Sequence, residues 1–373
     1  MVVGEFVKGP SGEKNLKIIG AGEVPSVGVR HGYIVDQSLA AAALEEALAL
    51  AEQSSGVRIR RAFISVSGLT LRSETSSGLS IVSKADGEVT ELDRNKALAD
   101  CEENLNLNNK KVIQVFPVSY RLDGKEVLGR LEGMRGTKLE IKAVFVNYSM
   151  QHLEDLIGVV TLSGVETIDV IAAPLAQSTL VLSDRQKIAG VALVDIGSQT
   201  TTLSVFENEK LTYAYTFSIG SADITNDIAL GFKISLEEAE NLKRGEDNEE
   251  FSKKKLEEII EARLSDIFEV IENHLKKIKR SELLPAGIVF VGGGAHTLLL
   301  TEFSKSILKL PSCVGSTEIF GSTKTKLRDP SWFTALGLLT ASKDGNGYPR
   351  NSFMSLIKDI KSTIKSGIKQ LMP

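Results

Sequence analysis

Cysteine is nearly absent from this 373-residue chain. Its two thiols, Cys101 and Cys313, stand far apart, too few for a zinc site and suited to a reducing compartment. No apolar run reaches the roughly 18 residues of a membrane-spanning helix. The opening MVVGEFVKGP is too short and too polar for a secretion signal. A basic surplus is lacking as well: Lys and Arg number 44 against 48 acidic residues, a net charge of −4. That argues against a general nucleic-acid binder, which needs cationic surface for phosphates. Four histidines (His31, His152, His274 and His296) are scattered, with no Cys or Ser partner at a recognisable spacing. No nucleophilic constellation follows from them, and structural or surface roles suit all four. What is present is ordinary for a soluble globular chain, 42% hydrophobic and 25% charged, and its length suits two domains.

The chain opens on two β-rich runs, VVGEFV and LKIIGAGEV, around a Gly9-Pro10-Ser11-Gly12 turn. SVGVRHGYIVD reads as a loop, residues 37–53 as an alanine- and leucine-rich helix, and RRAFISVSG as a buried strand. Residues 74–160 read as a separate module. It holds a polar helix opened by a capping box (Thr90 with Asp93), then the strands VIQVFPVSYRL and LEIKAVFVNYS, then a helix from near Ser149. Strand and helix alternate from 165 onward. TIDVIAA precedes the helix PLAQSTLVLS. Two or three strands follow through GVALVDIGSQTTTLSVFENEKLTYAYTFSIG, then charged helices over 236–280 broken at RGEDNE. AGIVFVGGGAH is a strand running into three glycines, and SWFTALGLLTAS is a helix. Alternation of this kind points to an α/β fold.

Three segments could carry chemistry. In Asp195-Ile196-Gly197-Ser198-Gln199-Thr200-Thr201-Thr202, a tight turn between strands exposes N–H and O–H donors suited to phosphates. The leading aspartate could hold a hydrated Mg²⁺. The alternative is a plain hairpin turn. Gly292, Gly293 and Gly294 follow a strand and would let a ligand approach the backbone, or simply turn the chain toward a helix. Glu240, Lys243 and Arg244 fall on one helical face. They could clamp a purine and a ribose, or form a solvated charged surface.

The last 23 residues carry an apolar stripe at helical spacing: Phe353, Ile357, Ile360, Ile364, Ile368 and Leu371. Lys358, Lys361, Lys365 and Lys369 oppose it, with Asp359 the acid among them. Behind the polar linker 341–350, this is the pattern of an in-plane membrane anchor, or of a helix docked on its own domain or a partner.

In order, the turn at 195–202, the Gly220-Ser221…Asp223…Thr225…Asp227 segment, the Glu240–Arg244 helix, the Gly292–Gly294 turn and Pro330–Gly337 resemble the ATPase core of the actin/Hsp70 superfamily. Within it, Val27–Asp36, Val112–Leu122, Gly133–Glu140 and the terminal stripe resemble the FtsA family of bacterial cell-division proteins. The likeness runs over essentially the whole chain.

The resemblance implies an actin-like (ribonuclease H-like) two-domain α/β fold with an inserted subdomain, and ATP with Mg²⁺ between the halves. The first half would be 1–73, the inserted subdomain 74–160, and the return with a connecting helix 161–190. The second half would be 191–230, its helical subdomain 231–285, and the return with a second connecting helix 286–340. The linker 341–350 and the membrane helix 351–373 complete the plan. Asp195 would assist the metal through water, and Gly197, Ser198, Gln199, Thr200, Thr201, Gly220 and Ser221 would lie at the phosphates. Glu240, Lys243 and Arg244 would face ribose and base, and Gly292 to Gly294 would line the adenine side.

The implied partners are the C-terminal tail of FtsZ at 231–285, other copies of the chain in filaments, later division proteins, and the inner face of the cytoplasmic membrane at the division site. Nucleic acid is not among them. Met1 stands where the family's second strand begins, so its first strand and Asp-x-Gly-Ser/Thr turn have no counterpart here. Ala173 precedes Pro174 where ATP-hydrolysing relatives carry a polar residue, and Gln177 one turn on could stand in. ATP binding with at most slow hydrolysis is the expectation. Two other readings stay open: a PilM-like cytosolic scaffold of a pilus or secretion apparatus, and a small-molecule kinase of the same fold, for which no base is evident.

Overall fold

A computed structural model describes residues 1–8, 14–246, 251–317 and 325–343. The expected turn at 9–12 and the expected membrane helix 351–373 lie outside them.

The first half opens with β1 (Val2–Lys8) and β2 (Lys14–Ala21), an antiparallel hairpin. Where the sequence reads as a plain loop, β3 (Val29–Arg30) and β4 (Tyr33–Ile34) form a minimal second hairpin. Helix α1 (Gln37–Ser55) starts at Asp36, whose carboxylate accepts from the Leu39 N–H, and stops at Gly56 with φ 69°. β5 (Arg61–Val66) follows.

The module begins with β6 (Arg72–Ile81) and continues through α2 (Glu91–Glu103), β7 (Lys110–Leu122), β8 (Lys125–Glu126) and β9 (Lys138–Ser149). The Thr90–Asp93 capping box forms as expected. The chain returns through α3 (Met150–Leu162), β10 (Glu166–Ala172), α4 (Ala173–Val181) and α5 (Asp184–Ala189).

The second half contains β11 (Val191–Ile196), β12 (Thr201–Glu207) and β13 (Lys210–Phe217), then α6 (Ser221–Phe232), α7 (Leu236–Lys243) and α8 (Lys253–Lys277). β14 (Ile288–Val291), α9 (Leu300–Leu308), β15 (Ser312–Val314) and α10 (Phe333–Lys343) complete it.

The strands of the second half run in the order β15-β14-β11-β12-β13, and those of the module in the order β6-β9-β7-β8. One residue pair, Tyr215 with Arg72, joins the two sheets edge to edge. The Arg72 guanidinium lies 4.9 Å from the Tyr215 ring centroid, a cation–π contact at the seam.

Four apolar clusters form among the described residues, three large ones and a small one of Ala40 and Ala41 of α1 with Val159 of α3. Val191 and Leu193 of β11 enter one core with α4 and α10, while Ala192, Val194 and Ile196 enter a second with α6 and α8. β11 is therefore apolar on both faces, as a central strand covered on both sides must be. A third core, including Val89, Cys101, Leu139 and Phe145, belongs to the module alone. Leu153 and Ile157 of α3 belong to the first core, so α3, although inside the 74–160 stretch, packs with the first half. Helices α4 and α10 touch backbone to backbone: a Cβ at Gly337 would stand 2.1 Å from the Ala176 carbonyl oxygen.

Two further expectations need correction. β5, read as buried, is only half-buried along Ala62–Ser65, because its outer edge borders a cavity. α10 runs to Lys343, into the stretch read as linker, since Ala341 still packs on the first core and no helix breaker comes before Gly345.

Candidate functional site

β11 and β12 are neighbours joined by residues 197–200, and β14 lies beside β11 in parallel. The 195–202 turn and the glycine turn after β14 therefore emerge at the same sheet end. They touch there. A Cβ at Gly292 would lie 2.2 Å from Asp195 Oδ1 and 2.6 Å from the Ile196 carbonyl oxygen. One at Gly294 would lie 2.4 Å from the Ile196 side chain. Gly293 has open space around it. Of the three glycines, the outer two are needed for close packing, and only the middle one leaves room for a ligand. Gly292 also has φ 85°, a conformation that favours glycine.

The 197–200 turn is braced from α6. Gly197 N–H donates to the Thr200 carbonyl, Ser221 N–H to the Gly197 carbonyl and Ala222 N–H to the Ser198 carbonyl, each at 2.8 Å. Gly220 N–H donates to Asp223 Oδ2 at 2.9 Å, and a Cβ at Gly220 would meet the Ser198 carbonyl oxygen at 2.4 Å. The Thr201 hydroxyl donates to the Ile219 carbonyl at 2.8 Å and is fully buried. Thr201, Gly220 and Ser221, expected at the phosphates, brace the turn through the Thr201 hydroxyl and the Gly220 and Ser221 backbone N–H groups. Ser198 and Gln199 are exposed, and no acceptor among the described residues takes their backbone N–H groups. Those free donors at the tip fit an anion.

Asp195, next to last in β11, is half-buried. Gln177 of α4 donates from Nε2 to Asp195 Oδ2 at 2.6 Å and to Thr334 Oγ1 of α10 at 2.8 Å. Burial raises the pKa of Asp195, and the Gln177 bond opposes that rise. Gln177 is 1% exposed, so its amide is placed to hold Asp195 and the two crossing helices in register.

The Glu240 group lies behind α6. Lys243 is buried at 3% exposure, and its ammonium donates to Glu240 Oε2 at 2.5 Å, Thr225 Oγ1 at 2.9 Å and the Ser221 carbonyl at 3.2 Å. Glu240 also accepts from Thr225 Oγ1 at 2.7 Å and Arg244 Nε at 2.9 Å. Burial works against the Glu240 charge, but these donors outweigh it and hold its carboxyl at about 2. Lys243, expected to face ribose or base, is instead a post under Glu240. Burial lowers its pKa while Glu240 raises it. Glu240 and the half-exposed Arg244 remain at the rim.

Sequence reasoning gave no site role to His31 or Thr334. His31 N–H donates to Gln199 Oε1 at 2.8 Å, and its Nδ1 lies 3.2 Å from the Gln199 carbonyl oxygen. This links the first half directly to the 197–200 turn. His31 has φ 49°, and the adjoining Gly32 sits against Gly68, a Cβ at Gly32 reaching 2.5 Å from the Gly68 Cα. The His-Gly pair in a left-handed turn was the available sequence signal.

Among the described residues, no group of three or more His, Cys, Asp or Glu could hold a metal. A cation here would depend on Asp195, water and ligand oxygens, a donor set that suits Mg²⁺. No described helix is long and apolar enough to cross a membrane.

A family model described as "Cell division protein FtsA" matches residues 192–337, and one described as "SHS2 domain inserted in FTSA" matches residues 68–147. Together they take in more than half of the chain. The cell division protein FtsA of Bacillus subtilis is 29% identical over 361 residues, spanning 91% of this chain and 80% of that relative. The cell division protein FtsA of Pseudomonas aeruginosa is 28% identical over 346 residues, spanning 87% of this chain and 82% of the relative. Among solved structures, a chain of the PilM–PilN type IV pilus biogenesis complex superposes with a TM-score of 0.65 at 14% identity, covering 90% of this chain and 93% of that one. That likeness concerns the fold, which is actin-like. With both FtsA models and these relatives in agreement, the chain belongs to the FtsA family of cell-division proteins.

Proposed function

We propose that this chain binds ATP with Mg²⁺ and works as an adaptor that ties FtsZ filaments to the inner face of the cytoplasmic membrane at the division site. The observation that carries the nucleotide part is the meeting of two turns around Asp195, with free N–H groups at Ser198 and Gln199 and open space at Gly293. Ser198, Gln199 and Thr200 would hold phosphate oxygens, and Asp195 would orient water around the metal. Glu240 and Arg244 would border the sugar and base. The metal would neutralise phosphate charge. Turnover would be slow at most, because the Gln177 amide N–H is engaged with Asp195 and Thr334 and not directed at a water.

On the same reading, the helical segment 231–285 takes the FtsZ tail. The module at 74–160 serves polymer contacts and later division proteins, and residues 351–373 lie in the membrane interface. One such helix binds weakly, and many in a filament bind firmly.

A fluorescent ATP analogue titrated with Mg²⁺ tests the nucleotide site. Saturable binding that loses its Mg²⁺ dependence in Asp195→Ala is expected, and no binding at millimolar nucleotide would defeat the reading. Liposome sedimentation tests the anchor: the full chain should pellet with anionic vesicles, and a chain lacking 351–373 should not. Equal pelleting of both would remove the membrane role.

A further inference from the structure

The turn between β3 and β4 is His31-Gly32, and both residues have positive φ, 49° and 82°. The favoured two-residue hairpin loop requires this at both central positions, and glycine supplies it at least cost. Strands of two residues cannot hold such a hairpin in place by themselves. Its position is set by what the turn packs on. Gly32 lies on Gly68, and a Cβ at Gly68 would stand 2.7 Å from the His31 carbonyl oxygen. The Tyr33 ring stacks on the His152 ring, with centroids 3.9 Å and planes 31° apart. His152 stands in the first turn of α3, its Nδ1 3.3 Å from Thr70 Oγ1. Tyr148, next to last in β9, meets the same imidazole edge-on at 6.3 Å between centroids.

The tip of this hairpin reaches the other half. Among the described residues, His31 makes the polar contact from the first half to the 197–200 turn, and it holds Gln199 at both the side-chain amide oxygen and the carbonyl. The backbone N–H of the same Gln199 has no acceptor among the described residues. One residue therefore carries both the clasp from the first half and a donor free for an anion. Clasp and anion favour the same ordered backbone at Gln199, so each strengthens the other, and the effect is reciprocal.

We propose that Tyr33 is a positioning residue for the nucleotide site: stacked on His152, it fixes the His31-Gly32 turn, and through His31 it holds Gln199 ready for a phosphate oxygen. Occupancy of the 197–200 turn is felt in return at the first turn of α3, where the chain leaves β9 of the module. The inference rests on the nucleotide reading above. Tyr33 acts through His31 and not by touching the ligand. Its ring makes the stack, so phenylalanine can replace it and alanine cannot.

A fluorescent ATP analogue with Mg²⁺, titrated against the full chain, reads the affinity, and amide exchange reads the response. In wild type, the analogue should slow exchange over 197–202, over 28–36 and over 150–153. Tyr33→Phe should match wild type. Tyr33→Ala should bind at least about fivefold more weakly and lose the response over 150–153 while keeping that over 197–202. In a Gln199→Ala background the further loss from Tyr33→Ala should vanish, since the link is already cut. Should Tyr33→Ala not fold, His152→Gln removes the same stack from the other side and carries the same expectations. Affinity of Tyr33→Ala within about twofold of wild type, an equal loss in the Gln199→Ala background, or a retained response over 150–153 would each overturn the proposal. A wild-type chain that binds no analogue strikes the nucleotide reading and this inference with it. One that binds the analogue without regard to residue 33 strikes this inference alone.

Discussion

Gln177 Nε2 stands 2.6 Å from Asp195 Oδ2 and 2.8 Å from Thr334 Oγ1, so one buried amide ties both crossing helices to the carboxylate at the end of β11. Its own Oε1 has no hydrogen-bond partner among the described residues. Gln177→Leu removes the donor and leaves Asp195 with burial unopposed, so its carboxyl should rise further. A loss of roughly 1–3 kcal/mol is expected in urea unfolding, the usual cost of a buried group left unpaired. Weaker Mg²⁺ dependence of nucleotide binding should accompany it. An unchanged unfolding midpoint would show that the amide contributes nothing to the crossing.

The glycine turn separates packing from ligand approach. Gly292→Ala places a methyl against Asp195 Oδ1 and Ile196 in a left-handed conformation, whereas Gly293→Ala meets open space. The first should destabilise by about 1–3 kcal/mol or more. The second should leave thermal unfolding nearly unchanged while weakening nucleotide binding. Equal melting temperatures for the two variants would contradict the geometry.

Glu240 gives a pH dependence with a definite sign. Its folded carboxyl sits at about 2 against an ordinary 4.5. A depressed folded pKa means the contribution is complete above about 4.5 and is lost as pH falls toward 2. Glu240→Gln should flatten the acid limb of the stability profile in that window, and it should also cost stability near neutrality by leaving the buried Lys243 without its counter-charge. A parallel acid limb in wild type and variant would rule this out.

The bridge from His31 to Gln199 joins the two halves at the turn. Gln199→Ala deletes the acceptor while keeping the backbone. Amides in residues 28–36 should then exchange faster, by about tenfold at most for an exposed bond of this kind. His31→Ala keeps the donating N–H and should have a smaller effect. If His31→Ala exchanges faster than Gln199→Ala, the side-chain ring and not the backbone bond holds the loop.

The positions of the turns were legible because local chemistry dictates them. Asp195 to Thr202 alternates from apolar strand to Gly, Ser and Thr, and Gly292–Gly294 ends a four-residue apolar run. The Thr90–Asp93 box follows from spacing alone. The roles inside the site were not legible, because they depend on which donors are already engaged. Lys243 and Arg244 are adjacent in sequence, yet one is a buried post and the other a rim group, since α7 turns them toward different neighbours. Gly220, Gly292 and Gly294 look like Gly293 until the packing distances distinguish them.

Composition, periodicity and turn residues therefore determined the α/β class, the longer helices and strands, and the positions of the two turns. Only the tertiary structure decided which side chains remain free to meet a phosphate-like ligand, and that His31 reaches across to Gln199. These depend on contacts between residues far apart in the chain, and such contacts are fixed by the packing of whole elements, not by any local run of sequence.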